Sequence, residues 1–234
     1  MRKLFNKIKM SWIKTSSQRY ISYLKESGIQ IGNNFNIRGS LRTISIDTTR
    51  PSLVTIGDNV TINTNFTLFT HDFVSGIFLN MYNDFLPSSG KVVIGNNVRF
   101  GVNCIVLKNV SIGDNCFIAA GSIVTKDIPS NSIVAGVPAK IIATIDSYYE
   151  TRKVECITEA KGYAKSIKMR FDRDPIPADF AEEFPLFVDG SNYMDYPEIP
   201  IREKLGDSMS LWLKNHKKIY NDFTAFIESV NDEG

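Results

Sequence analysis

Two histidines occur in the 234 residues, and one of them stands where a base would be useful. His71 lies in Leu68-Phe69-Thr70-His71-Asp72-Phe73, where a regular pattern of residues gives way to an irregular stretch. Imidazole, with an ordinary pKa of about 6.5, is largely neutral near pH 7 and takes a proton from a hydroxyl as that hydroxyl attacks an electrophile. A lone histidine is more often structural, so the residues alone leave both roles open. Asp72 follows directly, but successive residues of an extended chain point to opposite sides, which makes a backbone carbonyl an equal candidate for orienting the ring. No serine or cysteine adjoins His71 to serve as an acyl-enzyme nucleophile. His216, between Asn215 and Lys217, reads as a surface residue. Cys104, Cys116 and Cys156 show no C-x-x-C spacing, which argues against zinc or redox chemistry, and no metal is expected.

The elements that must position His71 follow from a period of six. Ile94, Phe100, Val106, Ile112, Ile118 and Val124 recur at that interval, and four residues after each come Val98, Cys104, Val110, Cys116, Ser122 and Ile128. An α-helix would repeat its apolar residues at three and four, and an amphipathic strand at two. A six-residue unit of one short strand and one tight corner fits a solenoid. Three units make one coil, so Ile94 is expected to stack on Ile112, Phe100 on Ile118 and Val106 on Val124, about 4.8 Å apart. The pattern extends upstream through Ile31, Ile37, Ile56, Ile62 and Leu68. It is interrupted at 43–55, which reads as a bulge or short loop, and at 73–91, which reads as a longer excursion and a candidate substrate wall.

The flanks differ in composition. Residues 1–144 hold 15 Lys and Arg against 7 Asp and Glu, while residues 145–234 hold 12 against 18, within a formal net charge of +2. Residues 1–26 interleave seven basic residues with Leu4, Phe5, Ile8, Trp12, Ile13, Tyr20, Ile21 and Leu24 at helical spacing, a basic amphipathic helix. It either caps the open end of the solenoid or lies on an anionic membrane surface, and the cap is favoured because a terminal coil needs a cover. Nucleic-acid binding is poorly supported. The C-terminal ninety residues lack hexads, and 146–170 and 202–230 read as helices around a Pro-rich link at 175–200. Aromatic residues from Tyr148 to Tyr196 fit packing of an irregular segment better than carbohydrate stacking. No run is long enough to span a membrane and no secretory signal is visible, so the cytoplasm is the expected compartment, with the inner membrane face as a variant.

The runs Val93-Ile94-Gly95-Asn96-Asn97-Val98, Ile112-Gly113-Asp114-Asn115-Cys116 and Ala119 through Pro129, closing with Ala135-Gly136-Val137-Pro138-Ala139-Lys140-Ile141-Ile142, resemble the hexapeptide-repeat acyltransferases. The resemblance covers residues 28–143 and implies a mainly β chain. Its left-handed parallel β-helix would occupy 28–143, after an N-terminal helical cap at 1–27 and before a helical and irregular extension at 144–234. It further implies a homotrimer that uses acetyl-CoA. By the same resemblance His71 is the general base. The tetrahedral oxyanion then needs a donor, and the backbone N–H of Gly101 or Val102 on the facing coil is the candidate. The cofactor groove would run past Phe100, Ala119, Ala120 and Thr125, with Lys126 and Lys140 at the phosphates. Asp72, Asp84 and Arg99 would face the acceptor. Many relatives have tryptophan followed by isoleucine where this chain has Arg99-Phe100, so the acceptor side or cofactor entrance is expected to differ.

The implied reaction is O-acetylation of a saccharide hydroxyl, in a precursor or repeat of a bacterial surface polysaccharide. N-acetylation of a nucleotide-linked amino sugar, O-acetylation of a small molecule or antibiotic, and a non-catalytic scaffold stand as alternatives, because fold does not choose among them. A carbonic anhydrase on such a solenoid needs three histidines around zinc and fails on count.

Overall fold

The computed structural model describes residues 10–231. The chain divides into two compact units, Met1–Tyr148 and Tyr149–Gly234.

In the first unit, helix α1 (Ser17–Glu26) precedes four coils of three short strands each. The coils are β1 (Gln30–Ile31), β2 (Asn36–Ile37) and β3 (Ser45–Ile46); β4 (Val54–Ile56), β5 (Thr61–Ile62) and β6 (Thr67–Leu68); β7 (Val92–Ile94), β8 (Arg99–Phe100) and β9 (Ile105–Val106); β10 (Val110–Ile112), β11 (Phe117–Ile118) and β12 (Ile123–Val124). They stack into three faces, β1-β4-β7-β10, β2-β5-β8-β11 and β3-β6-β9-β12, all paired in parallel. The second face is finished by β13 (Ser132–Ala135), parallel, and β14 (Lys140–Thr144), antiparallel. The section is a triangle, and each strand alternates one residue into the prism. Register places Ile112 on Ile94, Ile118 on Phe100 and Val124 on Val106. These side chains form one continuous buried column with Ile56, Ile62 and Leu68. Each such aliphatic group contributes about 1.5–3 kcal/mol by leaving water.

The corners depend on asparagine. Asn34, Asn59, Asn65, Asn97, Asn103, Asn109, Asn115 and Asn131 all have φ between 54° and 62°, a left-handed conformation that L-residues avoid at about 1–2 kcal/mol and Asn tolerates best after glycine. Along the edge between the first and second faces the same side chains bond to one another, Asn97 Nδ2 to Asn115 Oδ1 at 2.9 Å and Asn115 Nδ2 to Asn131 Oδ1 at 2.9 Å. One step earlier, Asp58, Asn96, Asp114 and Ser130 each accept the amide of the coil next to them.

The first interruption is narrower than the period suggests. Ser45–Ile46 is already strand. A 3₁₀ turn at Leu41–Thr43 lengthens the step from Ile37 to Ile46 and hides the phase. The long excursion carries its own helix, α2 (Ser75–Tyr82), and is pinned at its neck by Gly90 N–H donating to Thr70 O at 2.8 Å and by an antiparallel bridge between His71 and Ser89.

The basic N-terminal segment is broken at residues 14–16, and its first nine residues, with Arg2, Lys3, Lys7 and Lys9, lie outside the described ones. Ile13, Tyr20 and Leu24 belong to the same buried cluster as Ile29, Ile44 and Ile46, and Lys14 Nζ donates to Ile44 O at 2.6 Å. The apolar face of α1 is thus buried on the first coil.

Helix α3 (Ile145–Phe171) leads into the second unit, whose own core gathers Ala160, Ala164, Ile167, Phe180, Phe184, Phe187, Phe226 and Val230. The expected helix over 202–230 is instead three short ones, α4 (Ile201–Leu205), α5 (Met209–Asn215) and α6 (Phe223–Asn231). Gly206, at φ 51°, ends the first. The apolar spacing persisted across these breaks because each short helix turns its apolar side to the same core. His216 is not a free surface residue: its Nε2 lies 2.7 Å from Pro185 O, and its ring stacks on Trp212 at 4.3 Å.

Candidate active site

Each strand of the third face runs from the edge shared with the second face to the edge shared with the first. The latter edge therefore collects Asp47 after β3, His71 after β6, Lys108 after β9 and Thr125-Lys126 after β12. The break after β3 and the long excursion after β6 both fall on this edge, whereas the 3₁₀ turn at Leu41–Thr43 lies on the edge between the second and third faces.

His71 is largely enclosed, with 17% of its side chain exposed, and its Nδ1 lies 2.7 Å from Asp47 Oδ2. Burial pushes the Asp47 carboxyl up, but hydrogen bonds from the Thr70 and Thr49 hydroxyls, the Thr49 amide and His71 outweigh it and hold the group well below the usual carboxylate range. Asp47 Oδ2 accepts both the Thr70 amide, at 3.1 Å, and the Thr70 hydroxyl, while Oδ1 accepts the Thr49 amide and hydroxyl at 2.8 and 2.7 Å. A carboxylate ionised in this way places the imidazole proton on Nδ1 and leaves the Nε2 lone pair as the basic site. Among the described residues Nε2 has no hydrogen-bond partner. His71 lines a cavity of about 320 Å³ with Phe69, Asp72, Phe73, Leu107 and Lys108, within the size range of small-molecule sites.

Asp72 does not orient His71. Its carboxylate takes Lys108 Nζ at 2.9 Å, Ser88 Oγ at 2.9 Å and the Val74 amide at 3.2 Å. Those donors, Lys108 foremost, lower its pKa to about 2. Asp72 thus latches the two ends of the excursion to the next coil. Sequence reasoning missed Asp47, because the link depends on stacking: Ile46 pairs with Leu68, which brings the residue after β3 beside the turn that holds Thr70 and His71.

A model of the bacterial transferase hexapeptide (six repeats) matches residues 91–126. Galactoside O-acetyltransferase of Escherichia coli (strain K12) is 43% identical over 143 residues, 58% of this chain and 65% of that protein, so the chain spans just under two thirds of that relative's length. Protein CapG of Staphylococcus aureus is 36% identical over 136 residues, 56% of this chain and 74% of that protein. This chain belongs to the bacterial hexapeptide transferase family. Among solved structures, a galactoside acetyltransferase in complex with coenzyme A aligns at 33% identity over 61% of this chain and 80% of that one, with a TM-score of 0.43.

The remaining expected residues of this hexapeptide transferase fall in three places. Lys126 and Thr125 are exposed on the His71 edge, two coils or about 10 Å along. Val102, Ala119 and Ala120 lie on the edge between the second and third faces, as does Lys140, which pairs with Ala135 at the same end of the second face. Within one chain, a full face of the prism separates these from His71. Arg99 lies on the second face, its Nη1 3.1 Å from Thr61 Oγ1, and Asp84 is exposed with no hydrogen bond or ion pair among the described residues.

Two expectations need correction. Phe100 is only 3% exposed and packs edge-to-face on Phe66 at 4.9 Å, so its ring serves the core and lines no groove. Gly101 cannot offer an oxyanion donor, because its N–H is already bonded to Ile118 O at 2.8 Å. Its role is steric: a Cβ there would stand 2.5 Å from Ala120 N. The Val102 amide makes no hydrogen bond among the described residues. No group of three His, Cys, Asp or Glu among those residues is arranged to hold a metal ion.

Proposed function

We propose that this chain transfers the acetyl group of acetyl-CoA to a saccharide hydroxyl, with His71 as general base. The observation that carries the reading is the imidazole held by ionised Asp47 with Nε2 free beside a cavity. Family membership and the likeness to a protein named galactoside O-acetyltransferase support the acetyl donor and the sugar acceptor. The acceptor oxygen attacks the thioester carbonyl carbon as Nε2 takes its proton. A new C–O bond forms, the tetrahedral oxyanion collapses, the C–S bond breaks, and the imidazolium returns its proton to the departing thiolate. An acetylated sugar and free coenzyme A leave, with no acetyl-enzyme. Asp47 is a positioning residue that keeps Nε2 basic and aimed.

The donor's phosphates would meet Lys126 and Lys140, and small Ala119 and Ala120 keep the groove open. These residues and the Val102 amide, the oxyanion donor in this reading, lie on two different edges of one prism. A second copy must therefore bring its edge against the first, and the family implies a left-handed prism closed as a trimer. Residues 10–27 act as a cap, since their apolar face is already buried. No helix among the described residues is long and apolar enough to cross a membrane. The reading places the enzyme in the cytoplasm, where acetyl-CoA is made, acting on a precursor or repeat of a surface polysaccharide. Coenzyme A release, followed with a thiol reagent while a panel of glycosides is offered, tests it. Release that no sugar accelerates would defeat it.

A further inference from the structure

The cavity at His71 has a feature that the base and its carboxylate do not use. Phe73 is 82% exposed, although burying a phenyl ring is worth about 1.5–3 kcal/mol. Its ring centre stands 5.2 Å from that of His71 at an interplanar angle of 72°, and it walls the cavity together with Phe69 and Leu107. Nor is it a loose side chain on a free loop. Asp72 before it is tied to Lys108, Ser88 and the Val74 amide, and His71 is bridged to Ser89, so the backbone on both sides is held. An exposed aromatic face in a fixed place beside a base is a platform.

We infer that Phe73 is the stacking surface for the acceptor's sugar ring, a specificity determinant within the acetyl-transfer reading on which this inference rests. A pyranose carries a patch of C–H groups on one face, whose slight positive charge suits the negative face of an aromatic ring. Lying flat on Phe73, it sends its equatorial hydroxyls outward in its own plane, and the group that stands beside the platform is the His71 imidazole. The otherwise apolar wall of the cavity offers Asp72 and Lys108 as its polar pair, placed to meet neighbouring hydroxyls. An acyclic acceptor gains none of this.

The test replaces Phe73 by Ala, Leu, Tyr and Trp and measures KM for methyl glycosides and for acetyl-CoA separately. Direct binding of the same glycosides is followed by saturation-transfer NMR, and the mass of each variant by light scattering. Phe73→Ala and Phe73→Leu should raise the glycoside KM about tenfold and weaken the NMR contact, with KM for acetyl-CoA within about twofold. Phe73→Tyr and Phe73→Trp should stay close to wild type. Equal KM values for wild type and Phe73→Ala, a Leu variant as good as the aromatic ones, or variants that fall apart into single chains would overturn the inference, the last by making Phe73 a subunit contact. Wild-type protein that acetylates no glycoside would overturn the acetyl-transfer reading as well, and it is recognised before any variant is made.

Discussion

Two edges of the same prism are built from the same hexads and end up chemically opposite. On the edge between the first and second faces the repeat is unbroken, and its polar side chains satisfy one another: Asn97, Asn115 and Asn131 form a ladder of amides. On the edge between the third and first faces the repeat is broken twice, and the polar residues that open the breaks, Asp47 and His71, find each other across coils and leave one imidazole nitrogen without a partner among the described residues. Regularity uses up hydrogen-bonding capacity, and interruption releases it. In the proposed reading function therefore collects where the period fails, in line with the general placement of binding residues on loops held by a rigid scaffold.

That contrast can be broken in stages. The most severe test is assembly. Because His71 and the Val102 amide lie a full face apart in one chain, a stable single chain of 26.3 kDa should have no measurable transfer. Light scattering under assay conditions should give a multiple of that mass, three in the reading above. An active single chain would end the shared-site idea.

Next comes the base. His71→Ala should lower turnover by about 10²- to 10⁴-fold, with acetyl-CoA binding, measured by calorimetry, nearly intact. A variant that keeps most of its turnover would return His71 to a structural role.

Asp47 should matter less and in two distinguishable ways. Asp47→Asn should reduce turnover by about 10²-fold through a misplaced ring, with both KM values close to wild type. It should also change acid stability. The carboxyl of Asp47 is depressed in the folded state, so the unfolded chain binds the extra proton as pH falls below the ordinary Asp value of about 3.9. The stabilisation is fully present above that pH and is lost progressively as the pH falls from it towards the depressed value of the folded state. Urea unfolding should therefore show a larger gap between wild type and Asp47→Asn at pH 7 than at pH 3, and equal gaps would argue that the carboxylate is not selectively stabilised.

On the regular edge the expected outcome inverts. Asn115→Ala removes two ladder bonds, the one accepted from Asn97 and the one donated to Asn131, and leaves a residue less tolerant than Asn at φ 55°. It should cost about 1–2 kcal/mol of stability, with Asn115→Gly recovering part of it and turnover per folded molecule unchanged. The smallest effect belongs to the exposed lysines. Lys126→Ala and Lys140→Ala should each raise KM for acetyl-CoA by about two- to fivefold without altering turnover, and unchanged KM in both would show that they are only solvated.

Sequence alone determined the coil. A six-residue apolar period dictates short strands, and inward residues such as Ile94 and Ile112 stack in the register that eighteen residues per turn requires. It also singled out His71, because a break in a strict repeat is visible without coordinates. The hexad phase already set Phe100 in the inward stack with Ile118, at odds with a place in the groove, but it could not show that the Gly101 amide is committed to the ladder, since hydrogen-bond occupancy depends on the neighbouring coil. Nor could it separate the three helices after Ile201, where a shared core keeps one apolar spacing running across two breaks. Above all, only the tertiary structure decided what holds His71. Asp47 and His71 are 24 residues apart, and stacking one coil on the next is what brings a carboxylate and an imidazole within 2.7 Å.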